Sequence, residues 1–244
     1  MEIKRSSWIE IIDKRTCSVL GFSFLFAYIL SFLFEGEVLY SRLEFHNLEP
    51  SVFILTAMVS HFFGLIIGGL VTRNHTMAKR IMLWGMGLCL VATFPFYWGT
   101  AVLCMTGLVV SGFAGGCAVA AWGYYLKAFT PSNQRIKSCA DALIHSNFLM
   151  ILITLVTIYI SSLAGLIMSQ ICLLIGMGLI WLASTDTNWA QPDSSTAPQI
   201  AGEGNVSRDI RKPLLLLCLF VFIITIDSGL MYQVIKPSFD HLTG

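Results

Sequence analysis

Seven stretches of this chain are each long and apolar enough to cross a lipid bilayer, and they confine what it can fold into almost completely. A helix rising about 1.5 Å per residue needs about 20 mostly apolar residues to cross a hydrocarbon core of about 30 Å. Runs of that kind lie near residues 17–34, 51–72, 81–98, 101–126, 142–163, 165–184 and 213–234. The third is the shortest and carries Pro95 near its end, and a tight turn at Ala164 and Gly165 is all that separates the fifth from the sixth. With 56% hydrophobic and 12% charged residues, a soluble domain of this size would lack the polar surface it needs. The expected fold is therefore all-α, a polytopic membrane helical bundle.

The positions of Lys and Arg orient the bundle. Lys4, Arg5, Lys14 and Arg15 precede the first span; Arg73, Lys79 and Arg80 lie between the second and third. Lys127, Arg135 and Lys137 lie between the fourth and fifth, and Arg208, Arg211 and Lys212 precede the seventh. The opposite side holds only Arg42 and Lys236. Cytoplasmic loops accumulate basic residues, so the N-terminus is expected in the cytoplasm and the segment around Glu35, Glu37, Glu44 and Glu49 outside. The net charge of +1 hides this asymmetry.

Residues 1–184 thus read as a six-helix bundle, 185–212 as a flexible cytoplasmic linker rich in Pro, Ser and Gly, and 213–244 as a seventh helix with a short outer tail. Pro213 suits the first turn of that helix. The first apolar run is too long for a cleavable signal peptide. Of the seven cysteines, Cys89, Cys104, Cys117, Cys172 and Cys218 fall inside spans and have no metal-type spacing, so neither a disulfide framework nor a bound metal is expected. The glycosylation-like triplets at Asn74 and Asn205 fall on the cytoplasmic side and are discounted.

Ionisable groups inside spans are the functional candidates, because a charge at mid-bilayer costs about 2.5–3.5 kcal/mol. His61 lies mid-way along the second span, and Ala57, His61, Gly64, Gly68 and Thr72 share one helical face, small or polar throughout, which should point into the bundle. His61 is either a neutral interhelical hydrogen-bonding group or a proton relay or substrate ligand. Asp227, the one carboxylate deep in a span, lies about 20 Å along the seventh helix and is either a packing hydrogen bond or a coupling group. Asp141 and His145, with Asn147, mark the cytoplasmic entrance of the fifth span; four residues apart, the first two could pair or simply form an interfacial polar cluster. Trp122, Tyr124, Tyr125, Tyr97 and Trp98 lie toward span ends and read as interfacial anchors. Gly112, Gly116 and Ala120 form a strip without side chains along the fourth span, with Gly115 beside it, suited to close helix approach.

Two loop motifs carry a family resemblance. Between the second and third spans runs Gly68-Gly69-Leu70-Val71-Thr72-Arg73-Asn74-His75, and the fourth span has Gly112-Phe113-Ala114-Gly115-Gly116 followed by Phe129-Thr130-Pro131 and Arg135. With the six-helix, linker, seventh-helix layout, these resemble the major facilitator superfamily of transporters, over the N-terminal half plus the helix that opens the second half. In that family the first motif reads Gly-x-x-x-Asp-Arg-x-Gly. Gly68 and Arg73 match it, while Thr72 replaces the aspartate that helps lock the cytoplasmic gate and His75 replaces the second glycine.

The resemblance implies a secondary transporter, apparently a partial permease, in the plasma membrane, moving a small solute by proton- or sodium-coupled alternating access. It assigns gating and cytoplasmic-loop roles to Gly68, Arg73, Arg135, Asp141 and His145, and makes Asp227 a coupling site by analogy. Alternating access rocks two halves around a central site, so the missing C-terminal half or a second copy would be required. The alternative is a permease-like membrane sensor or binding module that does not transport. No hydrolase motif, phosphate-binding loop or retinal-binding lysine occurs in the chain, so it is read as a non-enzyme with no cofactor and no nucleic-acid partner.

Overall fold

The computed structural model describes residues 14–34, 36–130 and 134–182. The linker and the seventh span, with Asp227, lie outside them. The described chain is helical: α1 (Lys14–Tyr28), a π-helical turn (Ile29–Leu33), α2 (Glu37–Phe45), α3 (Pro50–Val71), α4 (His75–Thr93) with a 3-10 turn (Phe94–Tyr97), α5 (Ala101–Phe129), α6 (Arg135–Tyr159) and α7 (Ser162–Leu182). Among the described residues there is no strand. Six helical segments are long and apolar enough to cross a membrane: Thr16–Phe45, Pro50–Val71, His75–Tyr97, Ala101–Lys127, Arg135–Tyr159 and Ser162–Leu182. Large apolar side chains cover their outer faces, among them Phe62, Phe63 and Leu70 on α3 and Ile144, Phe148 and Ile158 on α6. Surface of that kind is stable against lipid and not against water. The chain is an integral membrane protein built as an α-helical bundle.

Local chemistry sets the ends of these helices. Pro50 starts α3 at a position where a missing N–H costs nothing. Pro95 converts the end of α4 into a 3-10 turn, and Gly99, at φ +70°, reverses the chain into α5. A side chain at Gly99 would also run into the His46 ring. The turn between α6 and α7 falls at Ile160 and Ser161, not at Ala164 and Gly165, because the Ser161 hydroxyl accepts the Ala164 N–H at 3.1 Å and caps α7. Gly165 is instead inside α7, pressed against Thr157.

Three expected boundaries move for the same reason. The first span continues through a break into α2, where Val38, Leu39, Arg42 and Leu43 are buried while Glu37, Tyr40, Ser41 and Glu44 are not. Such an amphipathic turn fails a test for unbroken apolar length yet satisfies helical periodicity. α4 begins at His75, six residues ahead of the expected 81, and α6 at Arg135, seven ahead of 142. Lys79 and Arg80 therefore stand on a helix, and Asp141, His145 and Asn147 lie within α6, beyond its entrance.

α5 is the hub of one side of the bundle, packed against α3 and α4, and α1 is the hub of the other, packed against α6 and α7; α4 and α7 meet between them. The core joins Leu25, Tyr28, Ile29 and Phe32 of the first span to Met82, Met86, Phe96, Leu108 and Tyr125. Phe22 and Trp122 stack at 3.7 Å with planes 7° apart. Trp122 and Tyr125 are thus interior residues and not the interfacial anchors their positions suggest, whereas Trp98 is exposed. A buried polar chain ties three spans together: the Tyr28 hydroxyl meets Thr93 Oγ1 at 2.9 Å, Thr93 donates to the Cys89 carbonyl at 2.7 Å, and the Cys89 thiol donates to the Ser111 carbonyl at 3.4 Å.

Candidate functional site

The small-residue face of α3 is its buried face, including Ala57, His61, Gly64 and Gly68, and it meets the glycine strip of α5 backbone to backbone. A Cβ at Gly112 would lie 2.7 Å from the Ala57 carbonyl oxygen, and one at Gly68 would lie 2.7 Å from Cys117 Cα. At Gly116 it would overlap the His61 carbonyl. Two hydrogen bonds fasten the same seam, Ser60 Oγ to the Val109 carbonyl at 2.6 Å and Cys117 Sγ to the Gly64 carbonyl at 3.3 Å.

This seam fixes His61 about 16 Å along α3, near the middle of the bilayer. The side chain is only 5% exposed, and its Nδ1 has no hydrogen-bond partner. Phe34 packs edge-on against the imidazole at 4.9 Å, and Gly115 lies beside it, where a Cβ would lie 3.6 Å from Nδ1. Phe34 closes the π-helical turn, its N–H bonded to the Ile29 carbonyl at 3.1 Å. His61 therefore faces the place where the first span loses α-helical regularity, and π-turns are frequent at functional sites. A buried imidazole nitrogen without a partner is satisfied by a hydrogen-bonding group, such as a polar group of a ligand.

Comparison with known proteins identifies no relative. No family model, no curated protein and no solved structure matches this chain.

Apart from Gly68 and the α5 glycines, the sequence candidates do not gather around His61. Gly68 belongs to the same seam, and Thr72, which stands at the family's aspartate position, closes α3 by donating its hydroxyl to the Gly68 carbonyl at 2.6 Å. The exposed Arg73 is tied to α5 through its carbonyl, which accepts the Tyr124 hydroxyl at 2.6 Å. Arg135 caps α5, donating through Nε to the Thr130 carbonyl at 3.1 Å and through Nη2 to the Lys127 carbonyl at 3.0 Å. His145 Nδ1 contacts the Asp141 backbone carbonyl at 2.5 Å, a bond within α6. Asp227 lies outside the described residues.

Sequence reasoning missed a second polar cluster, at the opposite end of the bundle. Arg42, expected on the outer surface, is 4% exposed. Its Nη2 donates to the Phe96 carbonyl at 2.5 Å and contacts His46 Nε2 at 3.2 Å, while Nε has no partner. Next to it the Tyr97 hydroxyl donates to Gln170 Oε1 at 2.7 Å, and Gln170 Nε2 is likewise without a partner. The signal was present as a four-residue spacing from Arg42 to His46 within an amphipathic turn.

Proposed function

We propose that this chain is the N-terminal half, with the seventh helix, of a secondary transporter of the major facilitator type. It moves a small solute by ion-coupled alternating access across the plasma membrane, with its N-terminus in the cytoplasm. His61 is the proton-accepting or solute-contacting group of this half, and a second six-helix bundle completes the pathway.

One observation carries the reading. Exchanging the first three spans for the last three leaves the main packing pattern unchanged: the second span on the fourth becomes the fifth on the first, the third on the fourth becomes the sixth on the first, and the third on the sixth maps to itself. The contact of the fifth span with the sixth is one addition to the scheme. That pattern is what paired three-helix repeats produce, and transporters of many folds use interrupted helices at their binding sites.

The test is solute-dependent proton entry into pyranine-loaded proteoliposomes containing the chain together with a second six-helix bundle, supplied by a longer permease or by a second copy, measured across a panel of sugars, amino acids, organic acids and cationic drugs. At least one solute is expected to drive proton entry, and His61→Gln to abolish it while the protein stays folded. A folded wild type that binds a solute without proton or solute flux would replace this reading with a non-transporting sensor or binding module.

A further inference from the structure

We propose that the groove between α4 and α5 is a binding site for one anionic phospholipid, with its phosphate at Arg80 and its acyl chain along Trp84, Leu88 and Phe113. The proposal concerns the bundle alone and is independent of transport.

Two adjoining cavities, of about 410 and 520 Å³, share Met77 and Arg80. Beyond Arg80 the first is walled by apolar and small side chains, notably Ile81, Trp84, Leu88, Phe113 and Ala114. The second is lined by Asn74, His75 and Thr76 together with Met77 and Arg80. Together they form one amphipathic site with the guanidinium at the junction. Its floor is low because Gly85 has no side chain: a Cβ there would lie 2.8 Å from the Ala114 carbonyl oxygen and 2.9 Å from Ala118 Cβ. Trp84, 73% exposed, and Leu88, 47% exposed, stand along one wall. From Arg80 to Leu88 the groove runs about 12 Å, most of one leaflet's hydrocarbon depth.

Charge selects the occupant. No Asp or Glu occurs from Pro50 to Ala140, while Arg73, Lys79, Arg80, Lys127, Arg135 and Lys137 fall in that stretch. Several of these lie at the same end of the bundle and already serve structure: Lys79 donates to the Trp181 carbonyl at 3.0 Å, and Arg135 caps α5. Arg80 is exposed at the groove mouth, and the stretch has no carboxylate of its own to neutralise it. The first turn of α4 contains no acidic residue, and its N-cap Asn74 makes no side-chain capping bond, so the second cavity opens on the positive end of a helix. A zwitterionic headgroup would bring a further cation into this field, and an apolar partner helix would bring no counter-charge to Arg80. An anionic headgroup satisfies both ends of the site, and each basic residue near the surface raises such binding about fivefold.

The test is native mass spectrometry of the detergent-purified full chain with equimolar dioleoylphosphatidylglycerol and dioleoylphosphatidylcholine. One phosphatidylglycerol should be retained with at least tenfold preference. Arg80→Gln should reduce that preference about fivefold, and Lys137→Gln, at the same end but outside the groove, should leave it intact. Leu88→Trp, which fills the groove from an exposed position, should weaken retention of both lipids alike. Equal retention of the two lipids, or an unchanged preference in Arg80→Gln, would overturn the proposal. Displacement of the bound lipid by inorganic phosphate would reassign the site to a free anion, and a chain dimer abolished by Leu88→Trp would reassign the groove to a second copy; either result overturns it.

Discussion

Placing a methyl group at Gly116 tests whether α3 and α5 meet backbone to backbone beside His61. A Cβ at Gly116 would overlap the His61 carbonyl oxygen and lie 2.8 Å from the Leu65 nitrogen and 3.0 Å from the Gly64 carbonyl carbon. All three obstacles are main chain, so relief requires α3 to move off α5. Overpacking of this kind costs about 1–3 kcal/mol, and opening a gap of 0.5–1 Å along the seam forfeits about a quarter to a half of each dispersion contact, which places Gly116→Ala near the upper end, about 3 kcal/mol. Replacing glycine by alanine inside a helix returns about 1 kcal/mol, leaving a net loss of about 2 kcal/mol. For a chain of this size that corresponds to a fall of about 4–8 °C in Tm. Gly115→Ala, one residue earlier, meets only side chains, Leu33 at 3.4 Å, His61 Nδ1 at 3.6 Å and Ile29 at 3.7 Å, so it should hold or slightly raise Tm. The buried free thiols of Cys89, Cys104 and Cys172 supply the assay, since a thiol-reactive fluorophore reports their exposure as the protein is heated in detergent. Equal shifts in the two variants, or an unchanged Gly116→Ala, would refute the close approach of these helices.

Other outcomes follow from single contacts. Arg42→Ala should lower stability by about 1.5–3 kcal/mol, the range for a hydrogen bond to a charged group, and Arg42→Met by less, because it keeps the packed stem; wild-type melting in both would mean that the guanidinium is not held at the Phe96 carbonyl. If Asp227 couples protons in a complete permease, Asp227→Asn should abolish pH-driven uptake while leaving solute exchange, and unchanged uptake removes it from the mechanism. An impermeant maleimide should label Glu44→Cys, an exposed position on α2, in intact cells; labelling only after lysis would reverse the proposed orientation.

Much of this architecture was legible in the sequence because bilayer thickness imposes a length on every crossing segment. The six described spans and the buried face of α3 around His61 follow from run length and helical periodicity alone. Helix ends were less legible where polar residues continue a helix past its apolar run, as at Arg135 and at Glu37. The strip at Gly112 and Gly116 announced a close approach, but its partner helix could not be read from one chain, since any small-residue face would serve. The burial of Arg42 was hidden for a related reason. Charge counting assigns an arginine to water by default, and only the fold shows the carbonyl of Phe96 arriving to receive it.

The Phe22–Trp122 stack gives the protein an optical signature. Trp122 is enclosed, while Trp84, Trp98 and Trp181 face outward along the bundle. Emission from these four therefore divides into one ring shielded by its neighbours and three in contact with the surrounding lipid. Acyl chains carrying bromine quench the three and spare the one, so once Trp8 and Trp189, the two other tryptophans of the chain, are replaced by Phe, the residual light reports on the interior alone. Any event that parts α1 from α5 would be visible in that remnant, with no dye attached.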